Sequence, residues 1–176
     1  TVNAGTLDLA GFTLTGNPIP QLVYEFPEST VRCPGSCDIV GPGTIANGAE
    51  AAISAVGKLR VRDTNIVGNG LGESRGVVAH TALVTDSVVE GFRADGIDVS
   101  RRAKITRTLV RQNGSIGIEA YEGRVALRES TITENGSTYV GDGIRAKAAV
   151  VRSSEITANT WSGIEVDRSV KVSDSR

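Results

Sequence analysis

The 176-residue chain contains no methionine, one tryptophan and one histidine, and aromatic residues make up only 4% of it. Compact cores normally use more large side chains, so the deficit indicates narrow layers filled by aliphatic residues. No apolar run approaches the roughly 18 residues of a membrane-spanning helix. The formal net charge is only −1, so the whole chain has no field that favours nucleic acid or an anionic membrane, and neither partner is expected.

Cysteine is also scarce, with Cys33 and Cys37 on either side of Pro-Gly-Ser. Two cysteines are too few for a structural zinc site, which takes four ligands. The spacing favours a small disulfide loop, with two free thiols as the alternative. A disulfide indicates an oxidising compartment, so we expect a secreted protein, either extracellular or periplasmic.

Glycine, by contrast, is abundant, and much of it belongs to an internal repeat. Each copy has a strand of alternating apolar residues that runs into Ser or Thr, often an Asn-Gly turn, a variable loop, and a second strand that begins with Gly-Ile or Gly-Val. Successive copies are 20, 21, 26 and 20 residues apart, measured between the glycines Gly76, Gly96, Gly117, Gly143 and Gly163.

This period and the two-residue alternation select one fold class. Tetratricopeptide and ankyrin repeats need about 33–34 residues, and propeller blades need about 40 or more. Alternation with a period of two indicates strands, and no segment carries a helical stripe. We therefore predict an all-β protein, a single right-handed parallel β-helix (a solenoid) of about seven to eight coils over residues 1–176. The proline-rich stretch 17–36 is predicted as a loop insertion between the first coils, with Tyr24 and Phe26 in one groove wall.

Two polar columns follow from the repeat. Stacked asparagines tolerate left-handed backbone and bond along the axis, so we expect both columns to be structural. The asparagine column is interrupted by Phe92. Its expected members are Asn69, Asn113, Asn135 and Asn159, with Asn47 as a further candidate, and the Ser/Thr column comprises Thr64, Ser87, Thr108, Ser130, Ser154 and Ser175.

These motifs resemble the pectate-lyase-like superfamily of right-handed parallel β-helix proteins. Residues 7–14 (Leu-Asp-Leu-Ala-Gly-Phe-Thr-Leu) are similar to the first rung of that group, and the resemblance covers nearly the whole chain. It implies the fold but no single activity, because this architecture occurs in lyases, hydrolases, epimerases and inert fibres. Asp95-Gly96-Ile97-Asp98 is similar to the end of the polygalacturonase signature, but the partner motifs of polygalacturonases, pectate lyases and mannuronan epimerases are missing.

Alternation also predicts which side chains of the second strand point outward. Rungs lie about 4.8 Å apart, so vertical neighbours touch. The first outward column is Val78, Asp98, Glu119, Arg145 and Glu165, and the second is His80, Ser100, Tyr121, Lys147 and Asp167.

Together these two columns, which we call the strip, suit uronic-acid chemistry. A lyase or epimerase needs a base such as His80, Tyr121 or Lys147, and a cation such as Arg145 to neutralise the substrate carboxylate. These four are the catalytic candidates, expected to line a groove. Asp98 and Glu119 are predicted to lie side by side. Such a carboxylate pair suits calcium, the one cofactor expected, as oxygen ligands, and it also suits glycoside hydrolysis, which uses two carboxylates. The substrate-binding candidates are Asp98, Glu119, Glu165 and Asp167. The alternative is an ordinary exposed strand face with a cross-rung ion ladder.

A basic stripe is predicted on another face, formed by Arg60, Arg62, Lys104, Arg128, Arg152 and Lys171. It suits an anionic polymer, although solvated charges that prevent sheet aggregation are the alternative. We therefore expect a carbohydrate-interacting protein that binds, and if it is an enzyme cleaves or epimerises, an acidic polysaccharide on the outer strand face formed by the strip from His80 to Asp167. The alternative is a non-catalytic structural, adhesion or assembly module. Because no cap helix is visible, we also expect a homo-oligomer through an uncapped end.

Overall fold

The computed structural model describes residues 5–16, 29–72, 74–138 and 141–176, and within them it contains strands and no helix. None of the described elements is a helix able to cross a membrane. The strands are β1 (Gly5–Asp8), β2 (Thr13–Thr15), β3 (Val31–Cys33), β4 (Cys37–Ala46), β5 (Ala51–Val67), β6 (Arg75–Thr85), β7 (Val88–Glu90), β8 (Ile97–Thr106), β9 (Leu109–Arg111), β10 (Ile118–Arg128), β11 (Thr131–Thr133), β12 (Ile144–Arg152), β13 (Glu155–Thr157) and β14 (Ile164–Ser173).

Every strand pair in the described chain is parallel. The long strands stack in the order β4-β5-β6-β8-β10-β12-β14, while the short strands stack as β7-β9-β11-β13. The predicted all-β parallel solenoid is confirmed, with about six turns rather than seven to eight. The right-handed sense stays a prediction.

The core is a set of aliphatic columns that run the length of the solenoid. Ile97, Ile118 and Ile144 lie directly above one another and are fully buried. Because each rung adds one thin layer, branched aliphatic side chains fill it, and Phe92 is the largest side chain among those fully buried. This packing accounts for the scarcity of aromatic residues.

The Ser/Thr column occupies one bend of each coil from β5 onward, and Gly43 stands at the equivalent position on β4. The Ser130 hydroxyl donates to the Arg128 carbonyl oxygen (2.7 Å) and accepts from the Thr108 backbone N–H (3.1 Å). Glu129, the residue before Ser130, has a left-handed backbone with φ of 50°, and the equivalent residue of each neighbouring coil does the same. The hydroxyl therefore satisfies backbone groups that the bend leaves without a strand partner.

The asparagine column is a buried hydrogen-bonded stack. Asn113 Nδ2 donates to Asn135 Oδ1 at 3.0 Å, and Asn135 Nδ2 donates to Asn159 Oδ1 at 2.9 Å. The expected left-handed backbone is wrong for these three asparagines, because the left-handed residue is the one that precedes each of them, as at Glu134 (φ 56°), whereas the further candidate Asn47 is itself left-handed (φ 61°). Asn69 was also wrongly assigned to the column: it is exposed, and its Oδ1 accepts from the nearby Leu71 N–H.

The predicted 17–36 insertion is shorter at its C-terminal end. Val31–Cys33 forms β3, which pairs with β5, because this part lacks proline and offers backbone N–H groups to a neighbour. A disulfide joins Cys33 at the end of β3 to Cys37 at the start of β4, and both cysteines are buried. Residues 17–28, with Tyr24 and Phe26, lie outside the described residues.

Candidate functional site

The first outward column of the strip has the predicted register. Val78 pairs with Asp98, Asp98 with Glu119, Glu119 with Arg145, and Arg145 with Glu165. Alternation within each strand is sufficient to predict this column, because each position directly follows an inward-pointing residue, which is Val77 on β6 and an isoleucine on the other strands.

The second outward column lies where the strands bend, and its register is interrupted. His80 Nδ1 and Ser100 Oγ are 2.9 Å apart, so these two side chains are joined. Tyr121, Lys147 and Asp167 fall within the register breaks of β10, β12 and β14, and Tyr121 is 71% exposed. The structure therefore does not align the catalytic candidates as one continuous column.

An acidic trio forms at the centre of the strip. Asp95, Asp98 and Glu119 place carboxylate oxygens within 4.8 Å of one another. Asp95 is buried, and its Oδ1 accepts from the Ile116 N–H of the next rung at 2.9 Å. From the sequence, Asp95 stands out only as the first residue of the polygalacturonase-like Asp-Gly-Ile-Asp segment, and strand alternation does not predict this contact because Asp95 precedes Gly96. Three carboxylates of this kind suit a hard cation such as calcium, which takes oxygen ligands.

Two arginines flank the acidic trio, and both are already paired within the chain. Arg75 Nε lies 3.4 Å from Asp98 Oδ2 and 3.7 Å from Asp95 Oδ2. Arg145 Nη2 bonds to Asp142 Oδ2 at 2.6 Å, and its Nε bonds to Glu165 Oε2 at 3.0 Å. Arg75 and Asp142 were also missed, since both precede a repeat glycine rather than following it.

The trio's two outer carboxyl groups prefer the protonated form more than usual. Partial burial raises the pKa of Asp98; the nearby Asp95 charge adds to this, and Arg75 opposes it. Partial burial also raises the pKa of Glu119, reinforced by Asp95 and Asp98 and opposed by Arg145 and Arg75. The ionised trio is thus held together at some electrostatic cost.

Replacing Glu119 with glutamine should therefore stabilise the fold at pH 7. When the pKa of a carboxyl group is higher in the folded state than in the unfolded state, the free energy of unfolding decreases as pH rises through the folded-state pKa. Glutamine cannot ionise, so the variant avoids this decrease. We expect a gain of about 0.5 kcal/mol after solvent screening, measured by urea unfolding, that vanishes below about pH 4. Glu122→Gln, exposed on the same strand, is the control. A variant less stable at pH 7 would mean that attraction to the arginines prevails.

A second face carries the opposite charge. It is formed by the later halves of the long strands, where outward side chains align in three columns across the rungs. Beyond the six residues predicted, the structure adds Lys58, Arg102 and Arg124, and all of these cations are exposed. Two carboxylates, Asp8 and Asp38, share these columns at the N-terminal end. We call this surface the basic face: Lys58, Arg60, Arg62, Arg102, Lys104, Arg124, Arg128, Arg152 and Lys171.

A shallow concavity of about 710 Å³ lies away from the strip, at the bend that carries the Ser/Thr column. Its lining includes Glu129, Ser154, Asp174 and Arg176, and no residue of the strip. The groove expected around the catalytic candidates is therefore not this concavity.

Comparison with protein-family models, curated proteins and solved structures finds no match to this chain. The parallel solenoid rests on the coordinates, and the pectate-lyase-like resemblance stays a prediction.

Proposed function

We propose that this protein interacts with carbohydrate by binding an acidic polysaccharide along the basic face. The observation that carries the proposal is that exposed lysines and arginines recur in shared columns on one face, either on adjacent rungs, as at Arg102 and Arg124, or with uncharged residues such as Thr81 and Leu83 between them. For example, Lys58, Thr81, Arg102 and Arg124 follow one another in register, in the order of the strands β5, β6, β8 and β10.

The spacing of these charges suits a polymer better than a small ligand. Cations recur along the axis at multiples of about 4.8 Å, and columns on one strand are separated by about 7 Å. A single exposed ion pair contributes at most about 1 kcal/mol, but a chain of repeating carboxylates contacts many at once and releases counterions. Affinity of this kind depends on salt and on polymer length.

The strip suits an anionic polymer less well than the basic face. Its carboxylates outnumber its cations, and Arg145 is occupied by Asp142 and Glu165. A uronate carboxylate would meet an arginine whose charge is already balanced by two carboxylates, and displacing either one would cost about 1.5–3 kcal/mol for a charged hydrogen bond. We therefore place polymer binding on the basic face, and treat lyase, epimerase or hydrolase chemistry on the strip as a separate prediction.

The alternative function is a structural or adhesion module whose basic face only prevents sheet-to-sheet aggregation. Ion pairs within that face, such as Arg60 with Asp38 at 2.9 Å, are what such a surface would contain. Arg102, Lys104 and Arg124 distinguish the two functions, because they form an exposed cluster at the centre of the face.

Replacing Arg102, Lys104 and Arg124 together with glutamine should weaken binding to polygalacturonate or alginate at least about 10-fold near 0.15 M salt. The plot of log affinity against log salt should also become shallower, measured by titration calorimetry with dextran as the neutral polymer. The control is Arg93→Gln, Arg107→Gln and Arg111→Gln, which removes the same charge from other surfaces.

Equal losses in both triple variants, or no binding of either polyuronate by the unaltered chain, would refute the proposal. Release of unsaturated products, followed by ultraviolet absorbance in the same samples, tests the catalytic prediction independently. Loss of product release in the His80→Gln variant would support the strip as a lyase site.

A further inference from the structure

Within the basic face, one area carries small apolar side chains where long charged ones would be expected. Ala126 on β10 and Val150 on β12 are direct neighbours in one outward column, and Ala148 lies beside Val150, two residues earlier on β12. All three are only partly buried, so each presents apolar surface to solvent. We call this surface the floor: Ala126, Ala148 and Val150.

Long cationic side chains border the floor, on the same two strands and on the rungs before and after them. They are Arg124, Arg128, Arg152, Lys104 and Lys171. Two residues of a strand span about 7 Å and adjacent rungs lie about 4.8 Å apart, so the cations on opposite sides of the floor start about 14 Å from each other at the backbone. Alanine and valine are much shorter than lysine and arginine, so the floor is a shallow depression with a charged rim.

Several of these cations have no partner within the chain. Arg128 is paired, because its Nη2 lies 2.8 Å from Glu129 Oε1. By contrast, in the part of the chain that the structure describes, the exposed side chains of Lys104, Arg124 and Arg152 form neither an ion pair nor a hydrogen bond. A carboxylate that binds there displaces no internal partner, whereas one that binds Arg145 of the strip meets two.

We propose that the floor is a subsite for one pyranose ring of a sugar acid, with the carboxylate of that ring among Lys104, Arg124 and Arg152. The inference rests on the proposed function and names the unit that the basic face takes. A pyranose ring has C–H groups on its faces and carries its hydroxyl and carboxylate groups at its edge. An apolar floor with cations at its margin is complementary to that distribution, and the arginine fork matches a carboxylate.

The floor gives the basic face a means of distinguishing a sugar acid from other polyanions. Polyglutamate also carries one carboxylate per unit, but it holds them on flexible side chains and has no rigid apolar ring that could pack on the floor. Charge attracts both polymers, whereas contact with the floor favours only the polyuronate. Specificity is a difference between two affinities, so this contact is measurable apart from charge.

Replacing Ala126 with glutamine fills the floor without changing the charge. We expect binding to polygalacturonate or alginate, whichever the unaltered chain binds more tightly, to weaken about 5-fold near 0.15 M salt, because the ring loses its apolar contact. Binding to poly-L-glutamate with the same number of carboxylates should not change. The plot of log affinity against log salt should keep its slope, since no cation is removed. Titration calorimetry measures all three, and Val150→Gln should reproduce the result.

Thr85→Gln is the matched control, because it adds the same bulk to the basic face two rungs before Arg128 and away from the floor. It should leave both affinities unchanged, and circular dichroism checks that each variant is folded. Unaltered polyuronate affinity in both floor variants, or an equal loss for polyglutamate or in the control, would overturn the subsite while polymer binding by the basic face stands. If the unaltered chain binds neither polyuronate, both proposals are wrong.

Discussion

Replacing Asn135 with alanine should lower the free energy of unfolding by about 3–5 kcal/mol. Asn135 Oδ1 accepts from both the backbone N–H and the side-chain amide of Asn113, and its Nδ2 donates to Asn159 Oδ1 and the Val110 carbonyl oxygen. Alanine removes these four hydrogen bonds and deprives the Asn113 backbone N–H of this acceptor, whereas Asn159 Oδ1 and Asn113 Nδ2 each keep one backbone partner. A lost hydrogen bond costs about 0.5–1.5 kcal/mol, and a buried unsatisfied group costs about 1–3 kcal/mol. Urea unfolding followed by circular dichroism measures the loss.

Asn65→Ala is the control for this variant. Asn65 is exposed on β5 and faces solvent, so its replacement should change stability by no more than about 0.5 kcal/mol. Equal effects at the two positions would show that the buried amide stack contributes nothing beyond asparagine's general properties.

Replacing Gly117 with alanine should destabilise the fold by about 2–3 kcal/mol, although the change adds one methyl group. A β-carbon there would lie 2.7 Å from the Gly143 carbonyl oxygen and 2.8 Å from Ile132 Cγ2. The backbone of the next rung and the Ile132 side chain of β11 both lie against Gly117. The added methyl group therefore forces the backbone to move, which destabilises the fold in the same way as other overpacking substitutions in a core. Thermal or urea unfolding measures the effect.

Gly163→Ala is the matched control, since Gly163 stands at the same repeat position in the last described rung. Its β-carbon would have no neighbour closer than 3.5 Å, so stability should change by no more than about 0.5 kcal/mol. A Gly117 variant as stable as the Gly163 variant would contradict close rung contact as the reason for the recurring glycine.

The solenoid separates charge that the composition hides. A net charge of −1 suggests a neutral molecule, but the register collects carboxylates on the strip and lysines and arginines on the basic face. This separation underlies the proposed function, in which the basic face binds an anionic polymer.

The features of the fold that depend on periodicity were predictable from the sequence. The 20- to 26-residue repeat established the parallel solenoid, and alternation aligned Asp98, Glu119, Arg145 and Glu165, because parity within a strand is a local property. The Ser/Thr column and the Asn113–Asn159 stack were predictable for the same reason.

The features that arise at the bends of the coils could be identified only from the packed structure. The register breaks beside Tyr121 and Lys147 depend on how many residues each bend takes, and strand patterning contains no signal for that number. Asp95 and Arg75 precede their repeat glycines, and the turn of the chain there brings their charged groups against Asp98. Local alternation therefore predicted the faces, whereas the meeting of charges across bends required the packed coils.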